Sequence, residues 1–351
     1  MSDSALHPLT RLLLTWYGEH ARDLPWRTAP NPYSTWLSEV ILQQTRVDQG
    51  TAYWHRFLAA FPTVEDLANA EVDEVMRLWK GLGYYSRARN LHQAAQWVVQ
   101  ERGGALPVLA REWVGLPGIG PYTAAAIASI CHGEPVPVID GNVQRVLARL
   151  FDIASPVDRK AGKAELEAWS AALIDARDPG SSNQAWMELG ALVCLPRAPR
   201  CAECPLAGEC LALRRSTVAE RPVKQPKKAP QAVEVAFQIH IREHPAQGWQ
   251  WWVERRPSRG IWAQLESFPC SMTVRDRNAG PSSGDQALNR FGPVDHILTH
   301  RRMTAWFTVD PSEPAETDAG GRWVDVHSGE ANWPRLIEKV LAELRAWIVK
   351  I

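Results

Sequence analysis

Leu116-Pro117-Gly118-Ile119-Gly120-Pro121-Tyr122-Thr123-Ala124 is the stretch on which the reading of this chain turns. Two glycines in a tight turn stand directly before an alanine-rich segment, and Pro121 suits the first turn of the helix that this segment predicts. Unpaired N–H groups at such a helix start attract a phosphate without help from any side chain, which makes Gly118 and Gly120 candidate contacts to a nucleic-acid backbone. An ordinary helix–helix turn has the same composition, because Gly-x-Gly alone is a weak signal. Outward from the turn, from Leu6 to about Ala212, apolar residues recur at helical spacing, as in Leu9, Leu12, Leu13 and Trp16 or Leu91, Ala94, Ala95 and Val98. Residues 1–220 are therefore predicted to be all-α.

The period then changes. Arg221-Pro222-Val223-Lys224-Gln225-Pro226-Lys227-Lys228-Ala229-Pro230 favours an extended, solvated linker, placed at 221–231. Val233, Val235, Phe237, Ile239 and Ile241 alternate with polar or small residues, which predicts a strand with one buried face. A turn at Gly248 leads to a partner strand at Trp251-Trp252-Val253. The chain closes on a helix with Asn332 as N-cap, Pro334 in its first turn, and Leu336, Ile337, Val340, Leu341 and Leu344 on one stripe. Residues 232–351 read as a second, α+β domain, and a length of 351 residues suits two domains.

Composition narrows the classes. No apolar run approaches the ~18 residues a membrane span needs, and Met1 to Glu19 lacks the pattern of a secretion signal, so a soluble, cytoplasmic protein is expected. Lys plus Arg and Asp plus Glu both number 39, so any basic surface for a nucleic acid must be local. Six cysteines without a secretion signal argue against a disulfide scaffold. Cys131 and Cys270 are isolated, whereas Cys194, Cys201, Cys204 and Cys210 form a Cys-x6-Cys-x2-Cys-x5-Cys array. Four thiolates in so short a loop can ligate either zinc or an iron-sulfur cluster.

Two carboxylates stand out. Asp140, in Val138-Ile139-Asp140-Gly141-Asn142, falls where the next helix should begin, and capping is a sufficient structural reason for it. Glu39 lies among large apolar residues in Trp36-Leu37-Ser38-Glu39-Val40-Ile41-Leu42, where desolvation would raise its pKa toward neutrality. A satisfied interior glutamate fits the same string. Together they suit the division of labour of glycosidic cleavage, in which Glu39 protonates the leaving group and ionised Asp140 stabilises the positive sugar.

The hairpin string, Ser38-Glu39-Val40-Ile41-Leu42-Gln43-Gln44-Thr45, Gly81-Leu82-Gly83-Tyr84-Tyr85, Asp140-Gly141-Asn142 and the cysteine array together resemble the MutY family of adenine DNA glycosylases, within the endonuclease III superfamily. The resemblance implies an all-α helix-hairpin-helix glycosylase domain with a 4Fe-4S cluster on Cys194, Cys201, Cys204 and Cys210, flanked by phosphate-binding Arg197, Arg200, Arg214 and Arg215. Tyr122 stands where endonuclease III carries a lysine nucleophile, which implies a monofunctional glycosylase without a Schiff base. Carried over residue by residue, Gln44 and Tyr84 would wedge into the base stack as adenine flips out, with Leu82 and Thr45 facing the opposite base. Gln43 belongs to the adenine-specific string, Trp26 and Arg27 would line the adenine pocket, Glu188 would lie near the base, and Asn142 would orient Asp140. Plain alternatives remain: Tyr84 and Leu82 as helix-packing residues, Glu188 as a surface charge.

The C-terminal third is similar to a Nudix-like domain that recognises 8-oxoguanine, and it lacks the Gly-x5-Glu-x7-Arg-Glu-x2-Glu-Glu hydrolase signature. In His296-Ile297-Leu298-Thr299-His300, Leu298 and Thr299 replace the family's Phe-Ser, so Thr299 and His300 become the candidates for reading the opposite base. The implied partner is double-stranded DNA with adenine opposite 8-oxoguanine or guanine, bound by a monomer away from any membrane. A thymine-removing or oxidised-pyrimidine glycosylase on the same fold, and a non-catalytic DNA-binding redox sensor, are the competing functions.

Overall fold

The computed structural model describes residues 6–226, 229–274, 289–298, 300–314, 320–328, 331 and 333–348. Contacts divide the chain into two units, residues 1–78 with 87–226 and residues 79–86 with 227–351.

Among its described residues the first unit holds helices and short 3-10 turns and no strand. Prolines open many of these helices: Pro8–His20, Pro25–Thr28, Pro32–Ile41, Pro121–His132 and Pro179–Leu192 each begin with one, where its missing N–H breaks no intrahelical bond. Asn31 and Asp178 cap two of them, their side-chain oxygens accepting from Ser34 N at 2.9 Å and Ser181 N at 3.0 Å. The core gathers Leu13, Val143, Leu147, Leu166 and Leu189, each worth about 1.5–3 kcal/mol on burial. Cys194, Cys204 and Cys210 pack against this same cluster, so the cysteine loop is anchored to the core.

In the hairpin turn only one glycine is conformationally required. Gly118 adopts φ +77°, and a Cβ there would meet Asn90 Cβ at 2.7 Å. Gly120 is the N-cap of Pro121–His132 with ordinary φ −94°.

Among the described residues the second unit is built on a seven-stranded sheet: β1 (Gln231–His244), β2 (Gly248–Arg255), β3 (Glu266–Ser267), β4 (Cys270–Val274), β5 (Arg290–Leu298), β6 (Arg301–Asp310) and β7 (Gly321–Asp325). The order is β3-β2-β1-β6-β5, with β4 also on β1 and β7 on β2. β1 and β6 run parallel, and the other pairs are antiparallel. The alternation read from the sequence is the observed one: Val233, Val235, Phe237, Ile239 and Ile241 all enter the core. Gly248 turns β1 into β2 at φ +69°, placing Ile241 opposite Trp251.

Two expectations change. The closing helix is two pieces, Arg335–Glu338 and Leu341–Ile348, with Pro334 as the N-cap residue of the first. Val340 N bonds Ile337 O at 2.9 Å, a three-residue turn that re-aims the chain while Leu336, Ile337, Val340, Leu341 and Leu344 all stay buried. Asn332 lies outside the described residues. The linker, expected to be solvated, is tied down over its first half. Val157 N bonds Val223 O at 3.0 Å, Arg221 Nε pairs with Asp152 at 2.8 Å, and Gln225 N bonds Asp158 at 3.2 Å. No helix among the described residues is long and apolar enough to cross a membrane.

Candidate active site

Glu39 occupies the last turn of helix Pro32–Ile41, between buried Ser38 and Val40. Tyr122, the second residue of the hairpin helix, donates its hydroxyl to Glu39 Oε2 at 2.6 Å and touches Met187 Sδ at 3.8 Å. Asp140 is the N-cap of Gly141–Leu150, so the capping explanation holds and coincides with the site. Its Oδ1 accepts from Val143 N at 2.7 Å and its Oδ2 from Asn142 Nδ2 at 2.8 Å.

Burial pushes the Glu39 carboxyl up to about 7, Tyr122's hydrogen bond pulls it down, Asp140's charge adds to the rise, and Arg27 opposes it. Burial also raises Asp140, while the donors from Val143 and Asn142 stabilise its ionised form. Tyr122 stays a neutral donor, raised well above its ordinary value by burial and by Glu39. This arrangement can release a proton near neutrality beside a carboxylate whose two oxygens are both fixed.

Asn142 is held in turn. Its Oδ1 accepts from Arg145 Nη2 at 2.9 Å, and Arg145 also donates to Gly190 O at 2.7 Å and, through Nε, to Cys194 O at 2.7 Å. Gly190 lets the two helices meet, since a Cβ there would lie 2.6 Å from Asn142 Cβ. Arg145 is not legible in the sequence: Asn142 and Gly141 lie three and four residues before it, as on any helix, and its acceptors Gly190 O and Cys194 O lie far along the chain.

A second wall forms around Glu188, which is 1% exposed and so is no surface charge. Arg22 grips it through Nε–Oε1 and Nη2–Oε2 at 2.8 Å each, and its backbone N adds a bond at 3.0 Å. Arg27 Nη2 reaches Oε2 at 2.9 Å. Burial alone would raise Glu188, but these bonds outweigh it and hold the carboxyl near about 2. Arg22 is a residue the sequence reading missed, being 166 positions from its partner. Trp26 is buried edge-on to Trp54, with ring centroids 5.8 Å apart.

The segment after the Glu39 helix splits its neighbours. Gln43 reaches inward to Thr123 Oγ1 at 3.4 Å, while Gln44 is exposed in the left-handed region at φ +58°. Thr45 is half-buried, its hydroxyl 3.5 Å from Gln43 O. In the other unit Tyr84 is 53% exposed at φ +46°, whereas Leu82 is tucked in at 9%. A left-handed non-glycine residue costs on the order of 1–3 kcal/mol and persists only where its surroundings over-determine it.

Cys194, Cys201, Cys204 and Cys210 line one small cavity together with Arg149. Arg149, 4% exposed, brings Nη1 to 3.4 Å from Cys194 Sγ and 2.7 Å from Leu195 O. Among the described residues no three His, Cys, Asp or Glu stand close enough to hold a single metal ion. Arg197, Arg200, Arg214 and Arg215 are exposed around this loop; Arg200 pairs with Glu203 and Arg215 with Asp152. In the sheet unit His300 is exposed between β5 and β6, and its carbonyl accepts from Gln231 N at 2.9 Å. Thr299 lies outside the described residues. Leu298 packs against the sheet core while Ile297 is 70% exposed.

The chain is similar to known proteins of DNA repair. A family described as HhH-GPD superfamily base excision DNA repair protein matches residues 37–171, and a NUDIX domain family matches residues 243–343. An adenine DNA glycosylase of Buchnera aphidicola subsp. Baizongia pistaciae is 34% identical over 343 residues, covering 95% of each chain. The human adenine DNA glycosylase is 44% identical over 212 residues, and the match spans 58% of this chain but only 39% of the human one. Among solved structures, a thermostable thymine-DNA glycosylase superposes with TM-score 0.55 at 26% identity, over 59% of this chain and 95% of that one. A non-covalent endonuclease III–DNA complex gives TM-score 0.51 at 20% identity, over 59% of this chain and 94% of that one, and speaks to the fold alone. The chain belongs to the adenine DNA glycosylase family, a helical HhH-GPD domain of base excision repair followed by a NUDIX domain.

Proposed function

We propose that this chain removes adenine paired with 8-oxoguanine or guanine from duplex DNA, leaving the strand uncut, and that it acts as a cytoplasmic monomer. The observation that carries the mechanism is the 2.6 Å bond between Tyr122 and a Glu39 whose carboxyl sits at about 7. Protonated Glu39 delivers its proton to a ring nitrogen of the extruded adenine. The C–N bond breaks and its electron pair leaves with the base, so the base departs neutral. The sugar carries the positive charge, and ionised Asp140, fixed by Asn142 and the Val143 N–H, stabilises or briefly traps it. Water then adds to the sugar carbon and gives up a proton to the Glu39 carboxylate, which resets the acid. Tyr122 offers no amine, so no Schiff base forms and the strand is not cleaved.

Arg22 and Glu188 set Arg27 beside Trp26 at the adenine pocket, with Glu188 ionised throughout. Gln44 and Tyr84, both exposed and left-handed, are the wedging side chains. Thr45 and Leu82 face the opposite base, and the exposed Gly118–Gly120 turn grips the backbone. The β5–β6 turn, with Thr299 and His300, reads the oxidised base.

The cysteine loop fits a 4Fe-4S cluster better than zinc. Four thiols surround one cavity, yet no three donors converge as a single ion requires. Cys194, Cys201, Cys204 and Cys210 would hold the cluster, which would supply a cross-link that stiffens the loop.

Single-turnover assays on duplexes carrying adenine opposite 8-oxoguanine, adenine opposite guanine, and an oxidised pyrimidine opposite guanine test the proposal. Adenine loss with breaks only after alkali is the expected result. Breaks without alkali in the pyrimidine duplex would place the chain with strand-cleaving enzymes instead. Iron and acid-labile sulfide in the purified protein, rather than zinc, are expected from the cysteine loop.

A further inference from the structure

The turn that carries Gln44 is held by one cation outside the machinery described so far. Helix Pro32–Ile41 is capped at Leu42, and carbonyls at a helix C-terminus lack intrahelical donors. Arg87, the second residue of helix Ser86–Arg102, places Nη1 3.0 Å from Val40 O and 3.1 Å from Ile41 O, and donates to Gln43 O as well. A guanidinium there also meets the negative end of the helix dipole. Directly after this triple contact the backbone enters the left-handed region at Gln44, whose side chain is exposed. A conformation of that kind persists only where its surroundings over-determine it. Here two restraints do so: Arg87 on the carbonyl side, and the bond from Gln43 to Thr123 on the hairpin helix. Arg87, Gln43 and Gly118 also border one small cavity between the turn and the hairpin.

We infer that Arg87 is a positioning residue for base extrusion: it locks the carbonyls of Val40, Ile41 and Gln43 so that Gln44 projects at the duplex already in its wedging conformation. Arg87 touches no reacting atom and leaves the proton chemistry of Glu39 as it is. The inference rests on Gln44 being a wedge, and the test separates the two.

The probe is a duplex with 2-aminopurine opposite 8-oxoguanine, whose fluorescence rises when the base leaves the stack, read by stopped flow under single-turnover conditions. Arg87→Met and Gln44→Ala are each expected to slow that rise on the order of tenfold or more. The double variant should be no slower than the slower single one, because both act through one turn. The alkaline limb of the excision rate should keep its position in Arg87→Met. Arg87→Lys, which retains a cation with three donors, should recover part of the loss, and it serves as the second variant if Arg87→Met melts below the assay temperature. A normal rise in Arg87→Met alongside a slow one in Gln44→Ala overturns the positioning role. So do fully additive losses, a displaced alkaline limb, or a lysine variant no faster than the methionine one. A normal rise in Gln44→Ala removes the wedge reading itself, and Arg87 with it.

Discussion

Glu39 is half-buried and Glu188 is 1% exposed, each on its own wall of the helical unit, and their carboxyls are pushed to opposite extremes. Glu39 faces a single neutral phenol and a neighbouring carboxylate, and its carboxyl rises to about 7. Glu188 faces two guanidiniums and a backbone N–H, and its carboxyl falls to about 2. Burial acts in the same direction on both, so the partners decide which glutamate can carry a proton near neutrality. On the mechanism proposed above, the Glu39 wall transfers the proton and the Glu188 wall supplies rigidity.

The largest effect should come from the proton-transfer wall. Glu39→Gln keeps the shape, removes the acid, and should lower single-turnover excision by about 10²–10⁴-fold, without loss of thermal stability. Asp140→Asn removes the charge that faces the sugar and should cost roughly 10²–10³-fold. If either amide variant kept near-full excision, the two-carboxylate account would fail at that residue. On the rigid wall the effect should appear mainly as stability. Glu188→Gln leaves Arg22 and Arg27 without their anion and should destabilise the fold by about 3 kcal/mol, visible as a lower urea midpoint. Its excision should fall less than in Glu39→Gln, and a Glu188→Gln enzyme as stable as the parent would erase the contrast between the walls. The smallest effect is a displacement along the pH axis. Tyr122 donates to the ionised form of Glu39 and so lowers its pKa; Tyr122→Phe should move the alkaline limb upward.

What could be read beforehand follows from how local each signal is. The β1 alternation, the Gly118 turn and the Asp140 cap are set by neighbours in sequence, and each is where its pattern placed it. Glu39's apolar surroundings are legible from Trp36, Leu37, Val40 and Ile41, all buried, while Glu39 itself is half-buried. The arginines were not. Arg22, Arg87, Arg145 and Arg149 look like solvated charges along helical segments, yet each satisfies acceptors tens of residues or more away. Nothing in their own surroundings distinguishes them from Arg197 or Arg214, which stay exposed. The break in the closing helix is hidden for a related reason: its apolar stripe is continuous, and the tighter turn at Val340 shows only in the packed chain. The linker likewise reads as solvated because prolines and lysines carry no sign of Asp152 and Asp158, which hold its first half.

The most direct test of the central claim is the pH profile of single-turnover adenine excision opposite 8-oxoguanine. Glu39 must be protonated to act, so the rate should fall as pH rises through about 7, approaching tenfold per unit above it. Asp140 must be ionised, so the rate should also fall toward acid, and burial moves that limb upward from the ordinary aspartate value. Glu39→Gln should abolish the alkaline limb along with most of the rate. A wild-type profile that stays flat from neutrality to pH values well above 7 would contradict the assignment of Glu39 as the proton donor.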